Sequence, residues 1–189
     1  MIIVGAGPGI GTAAARRFAA DGYEIGLVAR SEDRLASLAS QLQADGAKVG
    51  WVAADMADEA SLGGGLSQMI EHTGRVDVLL HNASVYREVA PRHLEAAGLL
   101  ADLAVGTASL LTMVRAALPA LLAQRTGTIL ATGSGAADNP SPGAASLGVQ
   151  KAALRTLVQV LAADLAPDGI HVATAVSYTH LTLPTTPYV

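Results

Sequence analysis

Cysteine is absent from the 189 residues, which excludes disulfides, thiolate zinc sites and a cysteine nucleophile. Aromatic side chains are scarce: one Trp, one Phe and four Tyr make up 3% of the chain. A core must therefore be built from Ala, Leu, Val and Ile, and the 20 Gly leave places where backbone can approach backbone or a ligand. Charge is sparse too, at 15% of residues, with a net charge of −4 and a pI near 5.6. No block of Lys and Arg supplies the counterion-releasing stripe that binding to a phosphate backbone needs, so nucleic acid is not an expected partner. His72, His81, His171 and His180 have no paired metal-ligand spacing, and no metal is expected.

Met1-Ile2-Ile3-Val4 lacks the basic region of a signal peptide and runs at once into glycines. Mean hydropathy is +0.40. The most apolar window, Ala96 to Val114, is interrupted by Asp102, Thr107, Ser109 and Thr112, so it reads as buried helix rather than a membrane span. The chain is expected to be cytoplasmic, with no membrane partner.

What is present is an alternation of short apolar runs with Ala-rich helical runs, the signature of βαβ units. Strands are expected at Ile2 to Gly5, Glu24 to Ala29, Lys48 to Ala53, Val76 to Leu80, Gly127 to Thr132 and His171 to Ala175. Both faces of these runs are apolar, as buried parallel strands require. Helices are expected at Ile10 to Ala20, Glu32 to Ala44, Asp58 to His72, Pro91 to Gln124 with a break near Val105 and Gly106, and Ala144 to Ala166. Gly63-Gly64-Gly65 is the weak spot of the third helix, since each Gly costs about 1 kcal/mol relative to Ala. The pattern predicts a single α/β domain, a doubly wound Rossmann fold with a mainly parallel sheet in three αβα layers.

From Val176 the text VSYTHLTLPTTPYV loses both periods and resembles the translation of a sequencing-library adapter. Residues 1–175 are read as the domain, C-terminally incomplete, and 176–189 as a non-native tail. A native Thr/Pro-rich tail is the alternative.

After the first strand comes Gly5-Ala6-Gly7-Pro8-Gly9-Ile10-Gly11, then a helix. That is where a parallel sheet places a phosphate-binding turn, with glycines for close approach and free N–H groups at the helix start. A tight strand-to-helix turn is the bland alternative. The G-x-G-x-x-G register fails, whereas Gly5, Gly9 and Gly11 fit G-x-x-x-G-x-G, a spacing that resembles the short-chain dehydrogenase/reductase family.

Arg30 ends the second strand where a dinucleotide-binding unit usually places an acid for the ribose hydroxyls. An arginine there can pair with a 2′-phosphate, so NADP(H) is preferred over NAD(H); a solvated Arg paired with Glu32 or Asp33 is the alternative. The resemblance implies that Asp55, followed by Met56, lies by the adenine; Asp55 equally fits a helix N-cap. His81-Asn82-Ala83-Ser84 resembles the family's N-N-A-G, which puts Asn82 beside the cofactor or in a purely structural role. Gly5, Gly9, Ile10, Gly11, Arg30, Asp55, Met56, Asn82 and Lys151 are thus the candidate cofactor-binding residues.

The family keeps a Ser after the fifth strand and a Tyr-x-x-x-Lys on the next helix. Ser134 and Lys151 match as catalytic residues, but the Tyr position holds Leu147. The family's helical Asn falls on Leu103, beside Asp102. Tyr86 and His93, after the fourth strand, are candidate replacement acids, or solvent-facing loop residues. The resemblance implies a small-molecule carbonyl or alcohol substrate and a homodimer or homotetramer paired through the two long helices. It leaves two readings, an NADP(H)-dependent oxidoreductase and a catalytically impaired NADP(H)-binding pseudoenzyme or sensor.

Overall fold

The computed structural model describes residues 1–177, so the expected tail, 176–189, lies outside the described residues from 178 onward. Six strands, β1 (Ile2–Val4), β2 (Ile25–Ala29), β3 (Val49–Ala53), β4 (Val78–His81), β5 (Gly127–Ser134) and β6 (Ile170–Ser177), form one sheet in the order β3-β2-β1-β4-β5-β6. Every neighbouring pair is parallel. The order reverses between β1 and β4, and the crevice beyond the carboxyl ends of those strands is where such sheets bind ligands.

The helices are α1 (Ile10–Ala20), α2 (Glu32–Ala44), α3 (Glu59–Thr73), α4 (Ala96–Leu103), α5 (Ser109–Gln124) and α6 (Ala145–Leu165). Alternation along the strands divides the core between the two faces of the sheet. Ile3, Ile25 and Leu27 pack with Leu35 and Leu42 of α2 and Ala15 of α1. On the opposite face Ile2, Val28 and Ile129 pack with Leu62, Leu110 and Leu154. The result is the doubly wound, three-layer architecture that the alternation predicts.

Ser31 caps α2 by accepting the Arg34 amide at 3.4 Å, and Asp58 caps α3 by accepting those of Ala60 and Ser61 at 2.9 and 3.1 Å. The triple glycine does not break α3. A Cβ on Gly65 would sit 3.3 Å from Val52, and Leu62, Leu66 and Met69 on either side are buried, so tertiary packing outweighs propensity.

The long apolar run divides into a 3₁₀ turn (Pro91–His93), α4, a π-helical turn (Ala104–Ala108) and α5. Gly106 fixes the break, because a Cβ there would fall 2.1 Å from Gln150 Oε1. Leu110, Met113, Val114, Ala117 and Leu121 line the buried face of α5. The strand limits differ from expectation by one or two residues, and β5 runs on through Ser134. β4 begins at Val78 rather than Val76 and includes His81. β6 runs through Ser177, its last two residues in register with Gly133 and Ser134.

Truncation at the fully buried Leu62 is expected to lower unfolding stability by about 2–5 kcal/mol. The same change at Val160, 60% exposed on α6, should stay within about 0.5 kcal/mol. Urea denaturation of Leu62→Ala and Val160→Ala checks both values.

Candidate active site

The glycine turn is built for backbone approach. Gly5 follows β1 with φ 86°, and a Cβ there would lie 2.6 Å from the Ala83 nitrogen, so a larger residue would collide with backbone. Gly9 has φ 105° and open space in front of it. The Thr12 hydroxyl donates to the Gly7 carbonyl at 2.9 Å and closes the turn. α1 then starts with no side-chain cap and no acid in its first turn, which leaves the Ile10 and Gly11 amides and the positive dipole end available to an anion. These features fit a nucleotide pyrophosphate. Ile10 is 44% exposed and borders an apolar cleft of about 430 Å³ with Phe18, Leu80, Leu130, Thr132 and Val176.

Arg30 is exposed directly after β2 and belongs to none of the ion pairs among the described residues. The alternative pairing with Glu32 or Asp33 is therefore not formed. Asp55 is exposed after β3, and its carboxylate accepts the Ala57 amide at 2.9 Å. The cap of α3 is Asp58, which corrects the N-cap alternative for Asp55. Met56 is 6% exposed and its side chain lies in the core.

The centre of the crevice is tied by consecutive hydrogen bonds. Asn82 Nδ2 donates to the Gly5 carbonyl at 3.0 Å, while Asn82 Oδ1 accepts from the Thr132 hydroxyl at 2.8 Å. The Thr132 carbonyl in turn accepts from Lys151 Nζ at 2.7 Å. The ends of β1, β4 and β5 are thereby joined to α6. Lys151 is 4% exposed, and burial pushes its ammonium down from 10.5 to about 8. Ser134, at the end of β5, accepts the Ala136 amide at 3.2 Å.

A second set of polar groups lies where α4 meets α6. Arg87 grips the buried Asp102 with Nε at 3.1 Å and Nη2 at 2.8 Å. Ser146, one residue before Leu147, donates to the same carboxylate at 2.6 Å. The hydrogen bonds from Arg87 are the main cause holding Asp102 below its ordinary carboxyl range. The Gln150 carboxamide meets Val85 as another peptide unit would, donating to its carbonyl at 3.0 Å and accepting its amide at 3.1 Å. A bridge between Val89 and Ala144 completes the attachment of the 85–89 segment to the start of α6.

His81 is fully buried, with Nε2 2.7 Å from Ser109 Oγ. Ser109 donates its own hydrogen to the Val105 carbonyl at 2.6 Å, so the imidazole hydrogen sits on Nε2. Burial, followed by the charge of Lys151, lowers the His81 pKa to about 3 and keeps the ring neutral. Its Nδ1 is buried without a partner.

The catalytic positions divide. Ser134 and Lys151 are carried by neighbouring elements: Lys151 binds Thr132, two residues before Ser134 and on the same side of β5. Leu147 and Leu103 are half-buried and bring no proton. Tyr86, 67% exposed, and His93, also exposed, lie on the connection after β4, and their side chains form no hydrogen bond among the described residues. Thr132, Arg87, Ser146 and Gln150 were not singled out by the motif spacing. Only Thr132 carried a usable signal, its period-two relation to Ser134.

Fold and crevice together define a nucleotide-binding Rossmann domain of the oxidoreductase kind. The chain belongs to the short-chain dehydrogenase family, whose model, described as short chain dehydrogenase, matches residues 1–184. It is 32% identical over 173 residues to an uncharacterized oxidoreductase of Staphylococcus epidermidis, covering 90% of this chain and 73% of that protein. Among solved structures it resembles a metagenomic short-chain oxidoreductase in complex with NADP (26% identity, TM-score 0.86, 94% of this chain and 80% of that one). It also resembles an NAD⁺-bound xylitol dehydrogenase (25% identity, TM-score 0.89, 94% and 68%).

Burial of Lys151 disfavours its charged form in the native state, so the unfolded chain holds more protons between about pH 8 and 10.5. Stability should therefore rise with pH across that window, and at pH 7 the protein carries the full cost. Lys151→Met is expected to raise unfolding stability at pH 7 by about 1–3 kcal/mol and to remove the rise, as read by urea denaturation at each pH.

Proposed function

We propose that this chain is an NADP(H)-dependent oxidoreductase acting on a carbonyl or alcohol substrate. The observation that carries the reading is the hydrogen-bonded line from Gly5 through Asn82 and Thr132 to Lys151, beside an uncapped helix start. Gly5, Gly9, Ile10 and Gly11 would hold the pyrophosphate side, Asp55 and the backbone of Met56 the adenine side, and Asn82 and Lys151 the nicotinamide side. Arg30, with no ionic partner among the described residues, supports a 2′-phosphate and thus NADP(H) over NAD(H).

A bound dihydronicotinamide supplies hydride. Ser134 would orient the substrate oxygen through its hydroxyl, and Lys151 would bond the ribose and lend positive charge. The neutral His81 supplies no proton near neutral pH, since its hydrogen is held on Ser109. Apolar side chains remain exposed on the outer faces of α5 and α6, including Leu111 at 43% and Val149 at 44%. They support pairing of two copies through these helices, as a homodimer or homotetramer. A cytoplasmic location is part of the same reading.

Leu147 favours a second reading, an NADP(H)-binding pseudoenzyme or sensor, because loss of a general acid costs about 10²- to 10⁴-fold in rate. Calorimetric titration should give tighter binding of NADPH than of NADH. Arg30→Ala should weaken NADPH about 10- to 100-fold and leave NADH within about twofold. If Leu147→Tyr gains carbonyl reduction over the wild type, the rest of the site is competent; NADPH binding with no turnover of any carbonyl by either form would establish the second reading instead.

A further inference from the structure

Lys151 has more hydrogens than its contacts use. Nζ donates one to the Thr132 carbonyl at 2.7 Å, and Lys151 belongs to none of the ion pairs among the described residues. Two ammonium hydrogens remain, close to the end of β5. There Ser134 Oγ accepts the Ala136 amide at 3.2 Å, which leaves its own hydrogen to be donated. Leu147, four residues before Lys151 on the same side of α6, ends in methyl groups and takes none of these hydrogens.

The titratable groups around Lys151 are held in other states. His81 on β4 keeps its hydrogen on Ser109 and has a bare Nδ1. Asp102 of α4 is a carboxylate gripped by Arg87 and Ser146. Arg155, one turn further along α6, is paired with Asp138. Tyr86 and Glu88 are exposed on the connection after β4. Among the buried titratable groups described here, Lys151 alone has a hydrogen to give and no carboxylate to keep it.

We infer that Lys151 is itself the proton donor of carbonyl reduction, passing a hydrogen from Nζ directly to the substrate oxygen that Ser134 orients. The inference rests on the oxidoreductase reading above. Hydride from the dihydronicotinamide bonds to the carbonyl carbon, and the carbonyl π pair moves onto oxygen. An N–H bond of Lys151 breaks with its pair left on nitrogen, and the new O–H bond completes the alcohol. The products are oxidised nicotinamide, the alcohol and a neutral amine, which takes a proton back from water once the product leaves. In alcohol oxidation the same amine is the base. The three ammonium hydrogens then have three acceptors: the Thr132 carbonyl, a ribose hydroxyl and the substrate oxygen. Burial prepares the group for this work. With its pKa lowered to about 8, the ammonium predominates at pH 7 yet releases a proton more readily than an exposed lysine does. An alkoxide is roughly as basic as hydroxide, whose acid, water, has a pKa of about 15.7, so the transfer runs downhill by about seven powers of ten.

Lys48 and Lys151 are the only lysines and the chain has no cysteine, so the group can be both observed and rebuilt at a single position. In the full chain labelled with ¹³C-lysine and loaded with NADPH, the signal that Lys151→Met removes should titrate near pH 8. The kcat for NADPH-driven reduction of 4-nitrobenzaldehyde should fall about tenfold per pH unit above the same midpoint. Three forms separate proton transfer from charge. Lys151→Arg, and Lys151→Cys alkylated with (2-bromoethyl)trimethylammonium, keep a positive charge but release no proton near neutral pH. Lys151→Cys alkylated with 2-bromoethylamine restores a primary ammonium. The first two should bind NADPH within about tenfold of the wild type and reduce the aldehyde at least about 100-fold more slowly, and the third should recover to within about tenfold. Reduction by the Arg or trimethylammonium form within about tenfold of the wild type, or a Lys151 midpoint that does not match the fall in kcat, would overturn the inference and leave the oxidoreductase reading standing. A wild type that binds NADPH but reduces none of a panel of aldehydes and ketones would overturn the reading beneath it.

Discussion

The structure depends above all on the side chain of Asn82. Its amide donates to the Gly5 carbonyl and accepts from Thr132, whose own carbonyl holds Lys151. Three neighbouring strand ends are thereby tied together at the switch point beyond their own ladder bonds. Each neutral bond in such a line contributes about 1 kcal/mol, yet removing one member leaves buried partners unsatisfied at about 1–3 kcal/mol apiece. Gly5 completes the same device, since the backbone after β4 passes too close for any side chain. Fold and site are here one set of contacts.

The Arg87–Asp102–Ser146 group has a different character. A carboxylate buried between two helices is a liability unless its lone pairs are filled, and Asp102 has both oxygens occupied. Gln150 adds a side-chain amide that imitates a strand partner for Val85. The connection after β4 is thus attached to α6 without joining the sheet. Close contact between Gly106 and Gln150 then fixes where the helical run after that connection changes pitch, through its π-helical turn.

Much of this was legible in the sequence where the cause is local. The glycine turn and the alternation of strands and helices follow from backbone freedom and short-range hydrogen bonding. The break near Gly106 was visible as a loss of helix propensity, although only the packing against Gln150 explains its form. Other features depend on partners far apart in the chain. Arg87 and Asp102, or Gln150 and Val85, have no spacing that announces them, because the loop after β4 brings them together. The unbroken course of α3 through three glycines reflects neighbours contributed by β3 and α5, which no local scale contains. The assignment of Asp55 as a possible cap failed for a smaller reason: the chain turns once more before α3, and Asp58 takes that place.

The burial of Lys151 places a cost in stability at the centre of the crevice. An interior ammonium held by one carbonyl works against folding, and several ordinary substitutions at that position would relieve it. Mutation without selection would therefore tend to replace it with an apolar residue, as would selection for stability alone. A chain with leucine at 147 and an ammonium at 151 is therefore less stable at neutral pH than one with an apolar residue at 151, and that cost falls where the strand ends meet.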